Sequence, residues 1–224
     1  MAQGSSNPSV AAALLETSPE LESVSPTPGD AGLVQRLDFE TSGLLLLARS
    51  RAVWEKLRAL SEGEKILKGY IALVEGRPDA EKVAHSWLGN PNRGAPRVRV
   101  YPSEPGPKAR ALPATTDFIG VQYHREKNVG IVRAEFTVGR RHQVRAHAGS
   151  LSMPLLGDVK YGATRSIFEV FPKAGETPPF LLHGAALKLP HPETGELLSF
   201  EAPMPEPFRL IVEDIPGWHL FKHL

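Results

Sequence analysis

The segment from Arg36 to Leu45 constrains this chain more than any other. An acid, Asp38, follows an arginine and precedes a Thr-Ser-Gly turn, and the apolar stretch Leu44 to Ala48 comes next. A stretch without a polar face predicts a strand that is buried on both sides. A carboxylate held at the edge of a core is rare unless it is paired. Asp38 is therefore either a salt-bridged surface acid before a strand or a functional acid.

A second informative block extends from Gly139 to His147. Arg141 and Arg145 are four residues apart and are expected on one face of a helix over 141–149. Like charges at that spacing repel, so they favour an anionic partner, either an acid such as Asp38 or a phosphate. The alternative is a solvated basic helix face with no ligand.

The remaining patterns predict an α+β protein. Strands follow strands without regular helical crossovers, which favours a mixed, mainly antiparallel sheet with flanking helices and a central cleft. The predicted helices cover 9–16, with Ser9 as the cap, Arg51 to Leu60, and Arg141 to Gly149, with a loop over 17–30. The predicted strands cover Leu44 to Arg49, Lys65 to Gly76, Arg97 to Tyr101, Thr115 to Gln122, Ile131 to Val138, Leu181 to Leu189 and Leu197 to Ala202.

Composition excludes several classes of site. The 224 residues hold no cysteine, which removes disulfides, thiolate zinc sites, iron–sulfur clusters and a cysteine nucleophile. The eight histidines form no H-E-x-x-H pattern, and no nucleotide-binding glycine loop occurs, so we expect neither a metal nor a cofactor. The 26 basic and 25 acidic residues neither require nor exclude nucleic acid, since a basic cleft can lie on a neutral protein. No targeting segment or membrane span is evident, so we expect a soluble, cytoplasmic protein.

Three motifs resemble those of one enzyme family. The run RLDFETSGLLLLAR resembles the catalytic motif H-R-L-D-x-x-T-S-G-L of the RluA-type pseudouridine synthases, with Gln35 in place of the usual histidine. GRRHQVRAH resembles the family's G-R-T-H-Q-I-R-x-H, with Arg141 in place of the threonine. KGYIALVEG, at 68–76, resembles K-x-Y-x-A-L-V-x-G. Looser matches continue over 151–162 and 181–208, in the family's order.

The resemblance implies roles for individual residues. Asp38 would be the catalytic aspartate, Arg145 its arginine partner, and Tyr70 the aromatic ring that stacks on the target uracil. A tyrosine on a half-buried strand is more often plain core, and the pattern around Tyr70 alone, without the other motifs, favours core. Arg36 would fill the space that a flipped base leaves, and Arg141 would also bind substrate. Asp158 is expected only to brace a turn after Gly157. Candidates for phosphate contacts are Arg93, Arg97, Arg99 and Arg140.

The function that the resemblance implies is isomerisation of a uridine to pseudouridine in structured RNA, ribosomal or transfer, by a monomeric enzyme without a cofactor. Asp38 would act on the sugar, by attack at C1′ or by removal of the 2′ proton. The rival predictions are a catalytically impaired RNA-binding protein on the same fold and, less strongly, a nucleoside glycosidase, although the latter usually needs two carboxylates.

The resemblance also predicts how the chain is divided. A short helix and a Ser/Pro-rich leader cover 1–30, the pseudouridine synthase catalytic domain covers 31–212, and a C-terminal tail covers 213–224. The family's first strands and its K-P-x-G motif have no counterpart in this sequence.

Overall fold

The computed structural model describes residues 9–78, 82–90, 92 and 94–221. Its centre is an eight-stranded sheet with the order β1-β7-β2-β6-β5-β3-β4, and β8 pairs with β7. The strands are β1 (Ser42–Gly43), β2 (Leu67–Glu75), β3 (Lys82–Gly89), β4 (Arg99–Tyr101), β5 (Ala111–His124), β6 (Val129–Phe136), β7 (Leu182–Pro190) and β8 (Leu197–Glu201). The helices are α1 (Val10–Thr17), α2 (Arg51–Glu62), α3 (Gln143–Ser150), α4 (Ile167–Val170) and α5 (Glu206–Val212), with short 3-10 helices at Pro19–Ser23, Pro107–Ala109, Val159–Tyr161 and Trp218–Phe221.

The sheet is mixed and mainly antiparallel, as predicted. Strand β1 runs parallel to β7, and the other strand pairs among the described residues are antiparallel. The two strands predicted over 181–189 and 197–202 form an antiparallel hairpin, β7 and β8, and Gly195 in its turn has a φ of 76°.

Strand β2 forms the centre of the core. Tyr70 and Ala72 point to one apolar cluster, and Ile71 and Leu73 point to another on the opposite face. Successive side chains of β2 therefore alternate between the two faces of the sheet, and both faces are buried. A side chain on β2 can consequently reach a site only where the first cluster opens to a pocket.

Helix α2 follows its sequence signals closely. The Ser50 hydroxyl accepts a hydrogen bond from the Val53 amide, and Gly63 ends the helix. Leu57 is buried in a third apolar cluster, which Leu21 and Val24 of the amino-terminal segment also join. The segment predicted as a loop over 17–30 thus contains the 3-10 helix Pro19–Ser23 and contributes to the core. The division into leader, catalytic domain and tail remains a prediction.

The prediction for Leu44 to Ala48 was wrong. The paired strand is only Ser42–Gly43, and the leucines that follow are partly buried rather than buried on both sides. The reason is that these leucines lie at the edge of the sheet, where the chain moves away from β7. Their backbone is hydrogen-bonded to the preceding segment instead: the Val34 amide donates to the Leu46 carbonyl, and the Ala48 amide donates to the Gly32 carbonyl. Leu44 and Leu46 instead pack against the third cluster.

Two further differences concern the site. Helix α3 begins at Gln143, so Arg141 lies before the helix rather than on a face shared with Arg145. Strand β3 was not predicted, since the sequence indicated only a short strand over 97–101 in that region.

Among the described residues, no helix has the length and apolar character needed to cross a membrane.

Candidate active site

Asp38 lies in a loop that is tied down on both sides. The Gln35 side-chain amide donates to the Leu44 carbonyl at 3.2 Å, and the Thr41 amide donates to the Asp38 carbonyl at 2.9 Å. The first bond spans the loop and the second closes the turn that follows the acid. The backbone around Asp38 is therefore fixed before any ligand binds.

The loop then joins the sheet at a close backbone contact. Gly43 has a φ of 124°, and a Cβ on it would lie 2.2 Å from the Gly184 carbonyl oxygen. Only glycine meets both requirements. This contact places the loop directly against β7.

Ser42 and His183 connect the same two segments through side chains. The Ser42 hydroxyl lies 2.8 Å from His183 Nδ1, and His183 Nε2 lies 3.2 Å from the Ala202 carbonyl oxygen. Because a carbonyl only accepts, the proton is on Nε2 and Nδ1 accepts from Ser42. Burial lowers the pKa of His183, and the bond to Ala202 only partly opposes this, so the neutral ring is favoured.

Arg145 is shared between two acids. Its Nε and NH2 donate to the two carboxylate oxygens of Asp158 at 2.6 and 2.9 Å, and its NH1 lies 3.5 Å from Asp38 Oδ2. Burial alone would lower the pKa of Arg145, but the hydrogen bonds and charge of Asp158 and the charge of Asp38 outweigh it and raise that pKa. The prediction that Asp158 only braces a turn was therefore wrong, because its side chain holds the guanidinium.

Aromatic rings fix the plane of that guanidinium. Its central carbon lies 4.3 Å from the Phe180 ring centroid and 5.2 Å from that of Tyr161. The Tyr161 hydroxyl also lies 2.8 Å from His142 Nδ1. Burial lowers the pKa of His142; the charge of Asp38 opposes this shift and that of Arg145 adds to it. The arginine can therefore turn neither away from Asp158 nor out of its plane.

Tyr70 belongs both to the core and to the site. It is 8% exposed and stacks on Phe136 with ring centroids 5.2 Å apart. Burial, aided by the charge of Asp38, raises the pKa of Tyr70 well above its ordinary value, so the hydroxyl stays protonated. The ring also contacts the backbone of Gly184, where a Cβ would lie 3.3 Å from it.

Asp38, Tyr70, His142 and Arg145 line one pocket of about 730 Å³. That volume is ample for a nucleotide, since small-molecule sites span roughly 300–1,000 Å³. The structure thus brings all five predicted site residues to one cavity: Asp38, Tyr70, Arg145, Arg36 and Arg141. Other basic or aromatic side chains at the wall are Trp54, Arg58, Lys68, Phe136, Arg140 and His142.

The basic residues that the sequence predicts as RNA contacts do not all lie at the pocket. Arg36 is exposed at the pocket wall, and Arg140 Nε donates to the Pro113 carbonyl. Arg97 and Arg99 are exposed but do not line the pocket. Arg93 lies outside the described residues.

Comparison with known proteins decides the family. A family model described as RNA pseudouridylate synthase matches residues 7–150. The chain belongs to this family. An "Uncharacterized RNA pseudouridine synthase" of Chloroflexus aurantiacus is 31% identical over 184 residues, which cover 82% of this chain and 53% of the relative. A "Ribosomal large subunit pseudouridine synthase D" of Nitrosomonas europaea is 29% identical over 204 residues, covering 91% of this chain and 55% of the relative. The chain spans about half the length of the curated relatives it matches.

Solved structures agree on the fold. "Human RNA Pseudouridylate Synthase Domain Containing 4" matches with a TM-score of 0.65 at 21% identity, covering 81% of this chain and 74% of that one. "Human RNA Pseudouridylate Synthase Domain Containing 1" matches with a TM-score of 0.60 at 24% identity, covering 77% and 69%. At these identities the likeness establishes the fold alone, and it confirms the predicted α+β class.

The two departures from the family motifs have local explanations. Gln35 replaces the usual histidine, and its amide forms the bond across the Asp38 loop. Arg141 replaces a threonine, and its guanidinium donates to the Asn90 side chain and to the Ala95 carbonyl. Arg141 therefore connects the start of α3 to the segment between β3 and β4, while still lining the pocket.

The sequence motifs did not reveal three of the site's polar residues. Asp158 was visible but was assigned to a turn, and only the two-pronged contact with Arg145 shows what its side chain binds. Lys68 stands at the first position of KGYIALVEG, although no role was expected for it. His183 lies in no metal-binding pattern, and its distance along the chain from Ser42 gives no sequence signal of the contact between them.

Proposed function

We propose that this protein isomerises a uridine in RNA to pseudouridine, with Asp38 as the catalytic residue. The observation that carries the proposal is the pairing of Asp38 with Arg145 inside a pocket that Tyr70 also lines. A guanidinium beside a carboxylate orients it and balances its charge in a partly desolvated site. Membership of the RNA pseudouridylate synthase family supports the same reaction.

The reaction itself needs few groups. The N1–C1′ bond of the target uridine breaks, the uracil turns, and a C5–C1′ bond forms, while C5 loses a proton and N1 gains one. The reaction involves no net oxidation or reduction, and it consumes no water. A single acid acting on the sugar, either by attack at C1′ or by removal of the 2′ proton, suits this chemistry.

The pocket suits a base that has left its stack. A target inside a duplex cannot reach Asp38, so it must flip out, at a cost of a few kcal/mol. In this proposal Tyr70, which lines the pocket, stacks on the uracil, a contact worth about 1–3 kcal/mol for a base on an aromatic ring. Arg36, which is exposed at the wall, fills the gap in the RNA, and Arg141 contacts the RNA near the target.

Ribosomal RNA is the first substrate class to test. Several relatives carry the name "Ribosomal large subunit pseudouridine synthase D", which supports this choice over transfer RNA. The cytoplasmic location and the monomeric state expected from the sequence remain predictions.

The test compares wild-type protein with Asp38→Asn on ribosomal RNA transcribed with tritium at C5 of uridine. Isomerisation releases that tritium to water, so wild-type protein should release it and Asp38→Asn should not, while both bind the RNA within about twofold of each other. Glu40→Gln is the matched control, since it removes the same charge two residues away and should stay active.

Other results would reject the proposal in distinct ways. RNA binding by wild-type protein without tritium release on ribosomal or transfer RNA would favour the impaired RNA-binding protein. Free uracil in the reaction would favour a nucleoside glycosidase. Full turnover by Asp38→Asn would remove Asp38 from the chemistry.

A further inference from the structure

Lys68 is a buried cation that faces the pocket. It lies on β2, two residues before Tyr70, and therefore points to the same face of the sheet. The residue is only 5% exposed, yet its side chain lines the cavity. Its Nζ donates to the Thr137 carbonyl at 2.9 Å and lies 5.9 Å from the Phe136 ring centroid.

The charge of Lys68 has no counter-ion within the described part of the chain. No carboxylate there lies within 4.0 Å of Nζ, whereas Arg145 in the same pocket contacts two. Burial accordingly lowers the pKa of Lys68 to about 8, and no neighbouring acid raises it again. Lysines this deeply buried are rare without a paired acid, because an isolated charge is costly to desolvate.

The direction of the side chain indicates what balances the charge. An ammonium has three N–H donors, and the Thr137 carbonyl uses one. The carbonyl and the aromatic ring can orient the ammonium but cannot neutralise it. An anion that enters the pocket with the ligand would do so, and RNA carries one phosphate for each nucleotide.

We propose that Lys68 binds the backbone phosphate next to the flipped nucleotide. This inference rests on the proposed function, because it assigns an RNA nucleotide to the pocket. A uracil carbonyl is a weaker candidate, since a neutral acceptor would leave the buried charge unbalanced. Lys68 therefore binds the RNA backbone at the target nucleotide, whereas Tyr70 contacts the base.

The first test uses small probes and needs no turnover. Binding of uridine, uridine 5′-monophosphate and uridine 3′-monophosphate is measured by calorimetry for wild-type protein, Lys68→Met and Lys68→Arg. Wild-type protein should bind at least one monophosphate about 10-fold or more tightly than uridine, as expected for a charged hydrogen bond. Lys68→Met should lose that preference and Lys68→Arg should keep part of it.

Lys56→Met is the matched control. Lys56 lies on α2, is half-exposed and pairs with Glu193, so its loss should leave the preference for a phosphate unchanged. Lys68→Met should melt no lower than wild-type protein, because it removes an unbalanced buried charge and keeps the apolar stem.

A measurement on wild-type protein covers the case in which Lys68→Met does not fold. The pKa of the Lys68 ammonium, followed by nitrogen NMR, should rise when the preferred monophosphate is added and should stay unchanged with uridine. Equal binding of uridine and both monophosphates by wild-type protein, an undiminished preference in Lys68→Met, or an unchanged ammonium pKa would each overturn the proposal. Because these probes undergo no isomerisation, absent tritium release from RNA would reject the proposed function without deciding the Lys68 contact.

Discussion

At the scale of single residues, the two acids around Arg145 differ in their contacts. Asp158 is almost fully buried and accepts two short hydrogen bonds, whereas Asp38 is partly exposed to the pocket and makes one contact of 3.5 Å. Asp158 therefore fixes the guanidinium, and Asp38 keeps most of its hydrogen-bonding capacity for a ligand. A structural acid and a reactive acid can share one arginine because their geometries differ.

This difference predicts that substitutions of the two acids destabilise the protein to different extents. Asp158→Ala should lower the free energy of unfolding by roughly 3–5 kcal/mol, since it leaves a buried guanidinium without its main partner. Asp38→Ala should lower it by about 1 kcal/mol or less, as expected for a long, partly solvated contact, and should still abolish turnover. Urea denaturation and tritium release check the two quantities. Equal destabilisation by the two substitutions would contradict the unequal division of Arg145.

At the scale of secondary-structure elements, β1 is a very short anchor for the loop that carries Asp38. Two residues pair with β7, and the Ser42–His183 hydrogen bond adds a side-chain connection at the same register. The loop and α3 approach the pocket from different parts of the chain, so the position of β1 sets the distance from Asp38 to Arg145.

We therefore expect Ser42→Ala to affect turnover more than binding. Loss of the hydroxyl should lower kcat about 10-fold with little change in KM, because the chain that positions Asp38 loosens while the RNA-binding wall stays intact. Thr115→Val is the matched control, since Thr115 makes a 2.8 Å hydroxyl–imidazole bond to His85 on an exposed part of the sheet. An unchanged kcat in Ser42→Ala would show that backbone pairing alone holds the loop.

Elements also differ in how well the sequence predicts them. Helix α2 has a serine cap, an apolar stripe and a terminal glycine; it begins at the predicted residue and extends two residues beyond the predicted end. Strand β3 was missed because its inward positions include Ala84 and Ser86, which carry little hydrophobic signal. Ser86 is buried because it bonds to His147, a contact between distant segments that a local pattern does not contain.

The site shows the same limit. Family motifs point to Asp38, Tyr70 and Arg145, since each lies in a run of fixed spacing. The contact between Asp158 and Arg145 and the bond from Ser42 to His183 depend on how separate elements pack. The burial of Lys68 away from the acids of the described residues likewise appears only in the folded chain.

At the scale of the whole molecule, α3 links the site to the core. Arg145 faces the pocket, and His147 on the same helix is fully buried. His147 Nε2 lies 2.9 Å from the Ser86 hydroxyl on β3, and Nδ1 lies 2.8 Å from the Thr116 hydroxyl on β5. One imidazole thus joins the helix to two strands of the sheet, so its protonation state bears on the stability of the entire fold.

Acid should therefore destabilise the protein through His147. Burial, with a smaller contribution from the charge of His85, lowers the pKa of His147 from 6.5 to about 4. The unfolded chain binds a proton at this residue more readily than the folded one. The contribution of His147 to the free energy of unfolding is therefore fully present above about pH 6.5 and decreases as the pH falls towards 4. The loss from His147 by pH 4 should be roughly 3 kcal/mol, and His183, whose pKa is also lowered, adds to it in the same direction.

Urea denaturation between pH 7.5 and pH 4.5 tests this expectation with His147→Gln. The variant should be less stable than wild-type protein at pH 7.5, because the imidazole bonds to Ser86 and Thr116 are lost. It should lose less stability on acidification, because glutamine does not titrate. His191→Gln is the control, because His191 makes its hydrogen bonds within the β7–β8 turn and not to α3, so this variant should keep the loss of stability assigned to His147. If wild-type protein and His147→Gln lose stability in parallel, the acid sensitivity arises elsewhere and the link between α3 and the sheet does not depend on a neutral imidazole.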